Sequence, residues 1–165
     1  MAKKNRTPWY ISGLHFECLR CGGCCSGPST GYIWVTSLEI NFIAGFLKIS
    51  PEQLRQRYLK RMGLRTTIIE QPVTKDCIFL QVLGTPYGES SGQKKCMIYP
   101  VRPSQCRIWP FWTENLVSPT VWSQAVQKCG GINHGRFYSF EEIEKIRKNK
   151  KWWSDSEQTI DSSKG

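Results

Sequence analysis

Cys18, Cys21, Cys24 and Cys25 stand within the thirteen residues FECLRCGGCCSGP, Phe16 to Pro28. Thiols packed this closely have three uses. They can pair as disulfides, bind a metal ion or cluster as thiolates, or sit in a core as small hydrophobes. Four more cysteines follow singly, Cys77, Cys96, Cys106 and Cys129.

The local pattern is C-x2-C-x2-C-C. A two-residue spacer lets a turn bring two sulfurs onto one metal. Three thiolates at steps of three wrap one corner of a cuboidal cluster, with a remote fourth ligand. A zinc site more often joins two separated pairs, and no second pair follows here. The spacing therefore leans toward iron–sulfur. Neighbouring side chains tend to diverge, so Cys24 and Cys25 are expected to serve different centres. Eight thiols then make two four-thiolate sites. One would take Cys18, Cys21, Cys24 and Cys106; the other would take Cys25, Cys77, Cys96 and Cys129. A single polynuclear centre with bridging thiolates is the alternative. Taken alone, Cys77 or Cys129 reads as a buried hydrophobe. His15 and His134 lie near Cys18 and Cys129 but are not needed as ligands beside eight thiols.

The block YPVRPSQCRIWPFW frames Cys106. Pro100, Pro103 and Pro110 stiffen its backbone. Arg102 and Arg107 flank the thiol and can offset an anionic centre or hydrogen-bond its sulfurs. Trp109, Phe111 and Trp112 supply apolar cover or simply core. No Ser–His–Asp order, paired-carboxylate pocket or phosphate loop is visible. Enzymatic activity is left open, with iron–sulfur redox chemistry as its one candidate form.

The segments FECLRCGGCCSGPSTGYIWVT, DCIFL, KCMIYPVRPSQCRIWPFW and CGGINHG, in this order, resemble the YkgJ-type cysteine-cluster family, described as zinc- or iron-chelating. The resemblance runs from about Phe16 to Gly135 and takes in all eight cysteines. It departs in a long segment between Cys77 and Cys96 and in Gly130, which stands where a proline is common. It implies chelation by the cysteines without choosing iron or zinc.

Short elements must position these thiols. YIWVT alternates and reads as a strand. SLEINFIAGFLKI reads as a helix capped by Ser37, with Leu38, Phe42, Ile43, Phe46 and Leu47 at helical spacing. SPEQLRQRYLKRMG carries a full start signal in Ser50, Pro51 and Gln53, and Gly63 is its stop. RTTIIEQ, DCIFLQVL and KKCMIYP read as strands. GTPYGESSGQ joins the last two as a hairpin loop. SPTVWSQAVQKCGG and SFEEIEKIRKNKKWW read as helices capped by Ser118 and Ser139. The predicted fold class is α+β, a single small domain of short helices and strands organised around the cysteine cluster. Its expected bounds are an irregular arm over 1–15, a metal-binding domain over 16–153 and a flexible polar tail over 154–165.

With 165 residues the chain is long enough for a real core. No run of eighteen apolar residues suggests a membrane span. The N-terminal residues hold no apolar core of a secretion signal, so a reducing cytoplasm is expected, where disulfides are rare. The formal charge is +10, from 23 Lys and Arg against 13 Asp and Glu. Eight thiolates around two divalent ions would remove about four of those charges. The expected function is cysteine-based metal chelation, with iron held as iron–sulfur clusters for electron transfer or cluster handling. A redox or cluster-transfer protein would then be the partner. Two alternatives stand beside it. One is a zinc-stabilised structural or interaction module; the other is a metal-dependent nucleic-acid binder, for which charge and aromatics exist but no recognised motif does.

Overall fold

The computed structural model describes residues 7–28, 31–84 and 90–149. The expected tail, the last residues of the final helix and the tip of the hairpin loop lie outside them. In chain order the elements are β1 (Leu14–Phe16), a 3-10 turn (Gly23–Cys25), β2 (Trp34–Val35), α1 (Ser37–Leu47), α2 (Pro51–Tyr58), β3 (Leu59–Met62) and β4 (Arg65–Ile68). Then follow β5 (Leu80–Gly84), β6 (Ser90–Cys96), a second 3-10 turn (Tyr99–Val101), α3 (Ser104–Arg107), α4 (Pro119–Lys128), β7 (Arg136–Tyr138) and α5 (Phe140–Lys148). The fold is α+β, as the sequence implies. Its chain groups into two compact units.

The first unit joins residues up to Leu19 with Ile108–Asn149. Strand β1 pairs antiparallel with β7, Leu14 opposite Tyr138. Its core is aromatic: Tyr10, Phe16, Phe111 and Trp122 are buried with Leu116, Ile132, Ile143 and Cys129. The stretch read as an irregular arm does turn at Pro8–Gly13, yet it delivers Tyr10 to this core. Helix α4 starts where expected, with Ser118 Oγ accepting from Val121 N. Helix α5 opens on the reciprocal Ser139–Glu142 capping box, which satisfies two orphan N–H groups.

The second unit holds Arg20–Arg107. Strands run in the order β2–β4–β3, all antiparallel, beside the two-stranded β5–β6 hairpin. Its buried core is Val35, Ile40, Ile43, Ala44, Leu54, Leu59, Ile68, Phe79 and Ile98. Four expectations change here. The cap of α1 is Thr36, not Ser37, because Thr36 and Glu39 bond each other reciprocally. The same helix buries Ile40, Ile43 and Ala44, and leaves Leu38, Phe42 and Phe46 exposed at 63%, 59% and 44%. Helix α2 also ends at Tyr58, earlier than its sequence suggests. Leu59 turns extended to pair with Ile68 in the core, so Gly63, at φ +61°, belongs to a hairpin turn and not a helix stop. Finally, β6 ends at Cys96, and residues 99–101 form a 3-10 turn where a strand was expected.

Candidate metal centre

Cys24 and Cys25 ride on the first 3-10 turn. Gly22, in front of it, has φ +73°, and a β-carbon there would meet Leu80 Cδ1 at 2.7 Å. The turn is tied to the next thiol segment by backbone: Cys77 N donates to Cys25 O at 2.8 Å. Gly27 lies so close to the Thr74 carbonyl that no side chain fits. Its N–H donates to Asp76 Oδ1 at 2.8 Å. Lys94 Nζ donates to Asp76 Oδ2 at 3.3 Å and to Ser26 Oγ at 2.9 Å. Ser26, Asp76 and Lys94 thus clasp the three segments that carry Cys24–Cys25, Cys77 and Cys96.

Cys77 and Cys96 pack against the second unit's core from its margin. Cys96 is held opposite Leu80 by the hairpin register, and Leu80 N donates to Cys77 O at 2.8 Å. Cys106 sits on α3, a single turn that would not stand alone. Two side chains fix it. Glu39 Oε1 accepts from both Ser104 N and Ser104 Oγ at 2.7 Å while its other oxygen completes the α1 capping box. Buried Gln105 accepts from Trp34 N at 2.8 Å and donates to Tyr32 O at 2.9 Å.

These ties gather the thiols electrostatically. Burial pushes the Cys77 thiol up to about 11, and neighbouring Cys96 and Cys24 push the same way. Burial also raises the Cys106 thiol well above its ordinary range. Cys77, Cys24 and Cys96 add to that rise, and the Arg102 charge opposes it. Cys24, Cys77, Cys96 and Cys106 therefore feel one another through space. Cys25 joins them through a Cys24–Cys25 sulfur separation of 3.8 Å.

That separation bears on how the ligands divide. Adjacent side chains were expected to diverge toward separate centres. On the 3-10 turn the two sulfurs instead lie 3.8 Å apart, and Cys24 acts on both Cys77 and Cys106. Cys21 lies exposed in the same unit. Cys18 and Cys129 belong to the first unit. There the Phe16–Ile132 bridge and the bond from Glu17 N to Gly131 O set Cys18 opposite Gly130, one residue from Cys129.

Of the two flanking arginines, Arg102 lies over the Tyr99 ring at 3.9 Å and its charge favours the Cys106 thiolate. Arg107 is folded back: its Nε donates to Arg102 O at 2.9 Å and its Nη2 to Pro100 O at 3.3 Å. Trp109 and Trp112 pack edge to face at 5.0 Å, and Phe111 is buried in the first unit's aromatic core. His15 Nδ1 pairs with Gly135 O at 3.0 Å.

Among the described residues, no three His, Cys, Asp or Glu side chains form a ready-made ion cage. The donor chemistry nonetheless fits zinc or iron, since thiolate sulfur suits both. Cys24, Cys25, Cys77, Cys96 and Cys106 would hold the metal, which as a thiophilic Lewis acid takes their thiolates on binding. Burial favours the protonated form of the Cys77 and Cys106 thiols, so binding of a metal there would release protons.

The clasp residues Ser26, Asp76 and Lys94, and the anchors Glu39 and Gln105, were not foreseen. Only Glu39 left a readable signal, as the fourth residue of the Thr36-x-x-Glu39 capping box.

Residues 17–130 match the family described as "CxxCxxCC: Putative zinc- or iron-chelating domain", and the chain belongs to it. The chain is 33% identical over 109 residues to "Uncharacterized protein MJ0661" of Methanocaldococcus jannaschii. The match covers 66% of this chain and 52% of that protein, so the chain spans about half of its curated relative. No solved structure matches it. Family membership agrees with the gathered thiols: this is a protein whose cysteines chelate metal.

Proposed function

We propose that the thiols of the second unit bind iron as an iron–sulfur centre, used for electron transfer or for handing clusters to a partner protein in a reducing cytoplasm. The supporting observation is an excess of thiols. Cys24, Cys25, Cys77, Cys96 and Cys106 lie together in one unit with Cys21, more than the four ligands of a tetrahedral ion. A zinc ion and an iron–sulfur cluster each take four thiolates, so the surplus supports a second site or a thiolate-bridged centre, and the run of Cys18, Cys21 and Cys24 at steps of three supports the cluster.

One observation favours zinc as a second reading. Metal–sulfur bonds of about 2.3 Å give a tetrahedron with an edge of roughly 3.8 Å. The Cys24–Cys25 separation has that length. The two readings part in colour and composition. Protein purified without oxygen should be brown, absorb in the visible, and contain iron with acid-labile sulfide. Colourless protein carrying stoichiometric zinc alone would overturn the iron–sulfur reading while sustaining chelation.

A further inference from the structure

The outer face of the β2–β4–β3 sheet carries an arrangement that metal binding does not use. The register pairs Trp34 with Thr67 and Thr67 with Lys60. Side chains alternate across a strand, so Trp34, Thr67 and Lys60 share one face, with Tyr32 and Arg65 two residues along on the same side. Val35, Leu59 and Ile68 point the other way into the core. On this outer face Tyr32 and Trp34 stack on each other, centroids 5.0 Å apart and planes 23° from parallel. Lys60 Nζ lies over the Tyr32 ring at 5.5 Å and the Arg65 guanidinium over Trp34 at 5.3 Å.

The platform is rigid and basic. Buried Gln105 bonds the backbone of both ring-bearing residues, Tyr32 O and Trp34 N. Thr67, fully buried, turns its hydroxyl onto Ile33 O at 3.1 Å. Residues 55–65 hold Arg55, Arg57, Lys60, Arg61 and Arg65 and no acidic residue. Tyr32, just before β2 and held through its carbonyl by Gln105, remains 46% exposed.

A stacked aromatic pair on an antiparallel sheet, set among cations, offers both contacts that an unpaired nucleotide needs. Rings take the base by stacking, and cations take the phosphate. An acidic protein would use the charges but has no planar group for the rings. A duplex hides its base faces. We infer that this face binds single-stranded nucleic acid, with a base stacking on the Tyr32–Trp34 platform and Lys60 and Arg65 meeting the backbone. A base that covers Tyr32 takes the place of the Lys60 ammonium and leaves it for a phosphate. The inference does not depend on which metal the thiols hold.

The test uses the full chain purified with its metal, and fluorescein-labelled U12, dT12 and a 12-base-pair duplex, followed by anisotropy between 50 and 300 mM KCl. Binding of U12 or dT12 at least tenfold tighter than the duplex is expected, and the U12 and dT12 arms show which sugar is preferred. Tyr32→Ala should weaken binding by roughly tenfold, the size of one lost stacking contact. Its circular dichroism and melting should match the parent, because the ring is half exposed. The Lys60→Gln, Arg65→Gln double variant should flatten the salt slope by about 1.4, at roughly 0.7 per phosphate contact on single strands. No binding at 50 mM KCl, or equal affinity for duplex, would overturn the inference. Unchanged affinity in folded Tyr32→Ala would do the same. Competition by polyglutamate as effective as by dT12 would assign the face to an acidic protein and reject nucleic acid.

Discussion

The two units close their cores by different means. The first is sealed by rings: Phe111 stacks on Trp122 at 6.1 Å, meets Phe16 edge-on at 6.0 Å and contacts Tyr138 at 4.8 Å. Its outer tie is also complete. Arg147 grips Glu144 with two bonds, at 2.8 and 2.7 Å, and the Tyr10 hydroxyl donates to the same carboxylate at 2.8 Å. The second unit has aliphatic residues and Phe79 at its centre, but thiols at its margin, where Cys77 and Cys96 pack. Segments 23–28, 74–80 and 94–98 meet there through hydrogen bonds and one partly exposed ion pair, and Cys106 of α3 is near enough to act on their thiols. Rings and salt bridges are finished by folding alone; a margin of thiols is finished by a metal.

The largest test of that contrast is metal removal. Stripping the protein with a chelator, thiols kept reduced, should unfold the second unit and spare most of the first. Binding energy at a thiolate site is folding energy, about 10 kcal/mol or more for structural zinc. Hydrogen exchange by mass spectrometry should show protection lost around Phe79, Leu80 and Ile98 and retained around Trp122 and Ile143. Uniform loss, or none, would break the comparison.

A smaller effect should come from the clasp. Asp76→Ala removes the acceptor of both Gly27 N–H and Lys94, a cost of about 1.5–3 kcal/mol for bonds to a charged group. Melting should fall and the bound metal per chain should drop, because the Cys24–Cys25 turn loses its tie to the Cys77 segment. Asp76→Asn keeps one acceptor and should recover part of both. If Asp76→Ala lowers stability with the metal content unchanged, the clasp does not position thiols.

The smallest expected effect lies in the first unit and depends on pH. Bonds from Arg147, and then from Tyr10 and Lys148, hold the Glu144 carboxyl at about 2, below its ordinary 4.5. A depressed carboxyl stabilises the fold above its unfolded value, and the contribution disappears as pH falls from about 4.5 toward 2. Glu144→Gln should therefore cost about 1–2 kcal/mol at neutral pH and nearly nothing at pH 2. Denaturant melts of both proteins at pH 2.5, 4 and 7 measure it. A constant difference across that range would mean that Glu144 acts through packing alone.

Local signals carried much of this fold. Ser50, Pro51 and Gln53, then Ser118, Ser139 and Glu142, act on their own neighbours, and all three caps stand as read. What depends on distant partners was less legible. The run YLKRM has helical composition, yet Leu59 finds Ile68 across a turn and the core outweighs propensity. Leu38, Phe42 and Phe46 share a helical stripe, but Ile40, Ile43 and Ala44 make an equally regular one, and only the sheet beneath selects between them. The thiols were legible as a set because their chemistry is particular. The close approach of Cys24 and Cys25 was not, because it depends on a 3-10 turn that the spacing does not announce. Asp76 and Lys94 have ordinary neighbours in sequence, and nothing local marks a clasp.

The hairpin between Cys77 and Cys96 has a consequence for how such chains vary in length. Leu80 faces Cys96 and Gln81 faces Lys95, so ladder bonds fix the distance between the two thiols at the base of the hairpin. The number of residues beyond Gly84 and Ser90 does not enter that distance, and lengthening a loop adds closure entropy only slowly. Spacing along the chain is therefore a free variable here while spacing in space is not. Relatives with shorter or longer arms can keep the same thiol geometry, and a search that fixed the interval between these cysteines would pass them over. The same freedom makes the far end of the hairpin a natural place to graft an affinity tag or a fluorescent label without disturbing the thiols.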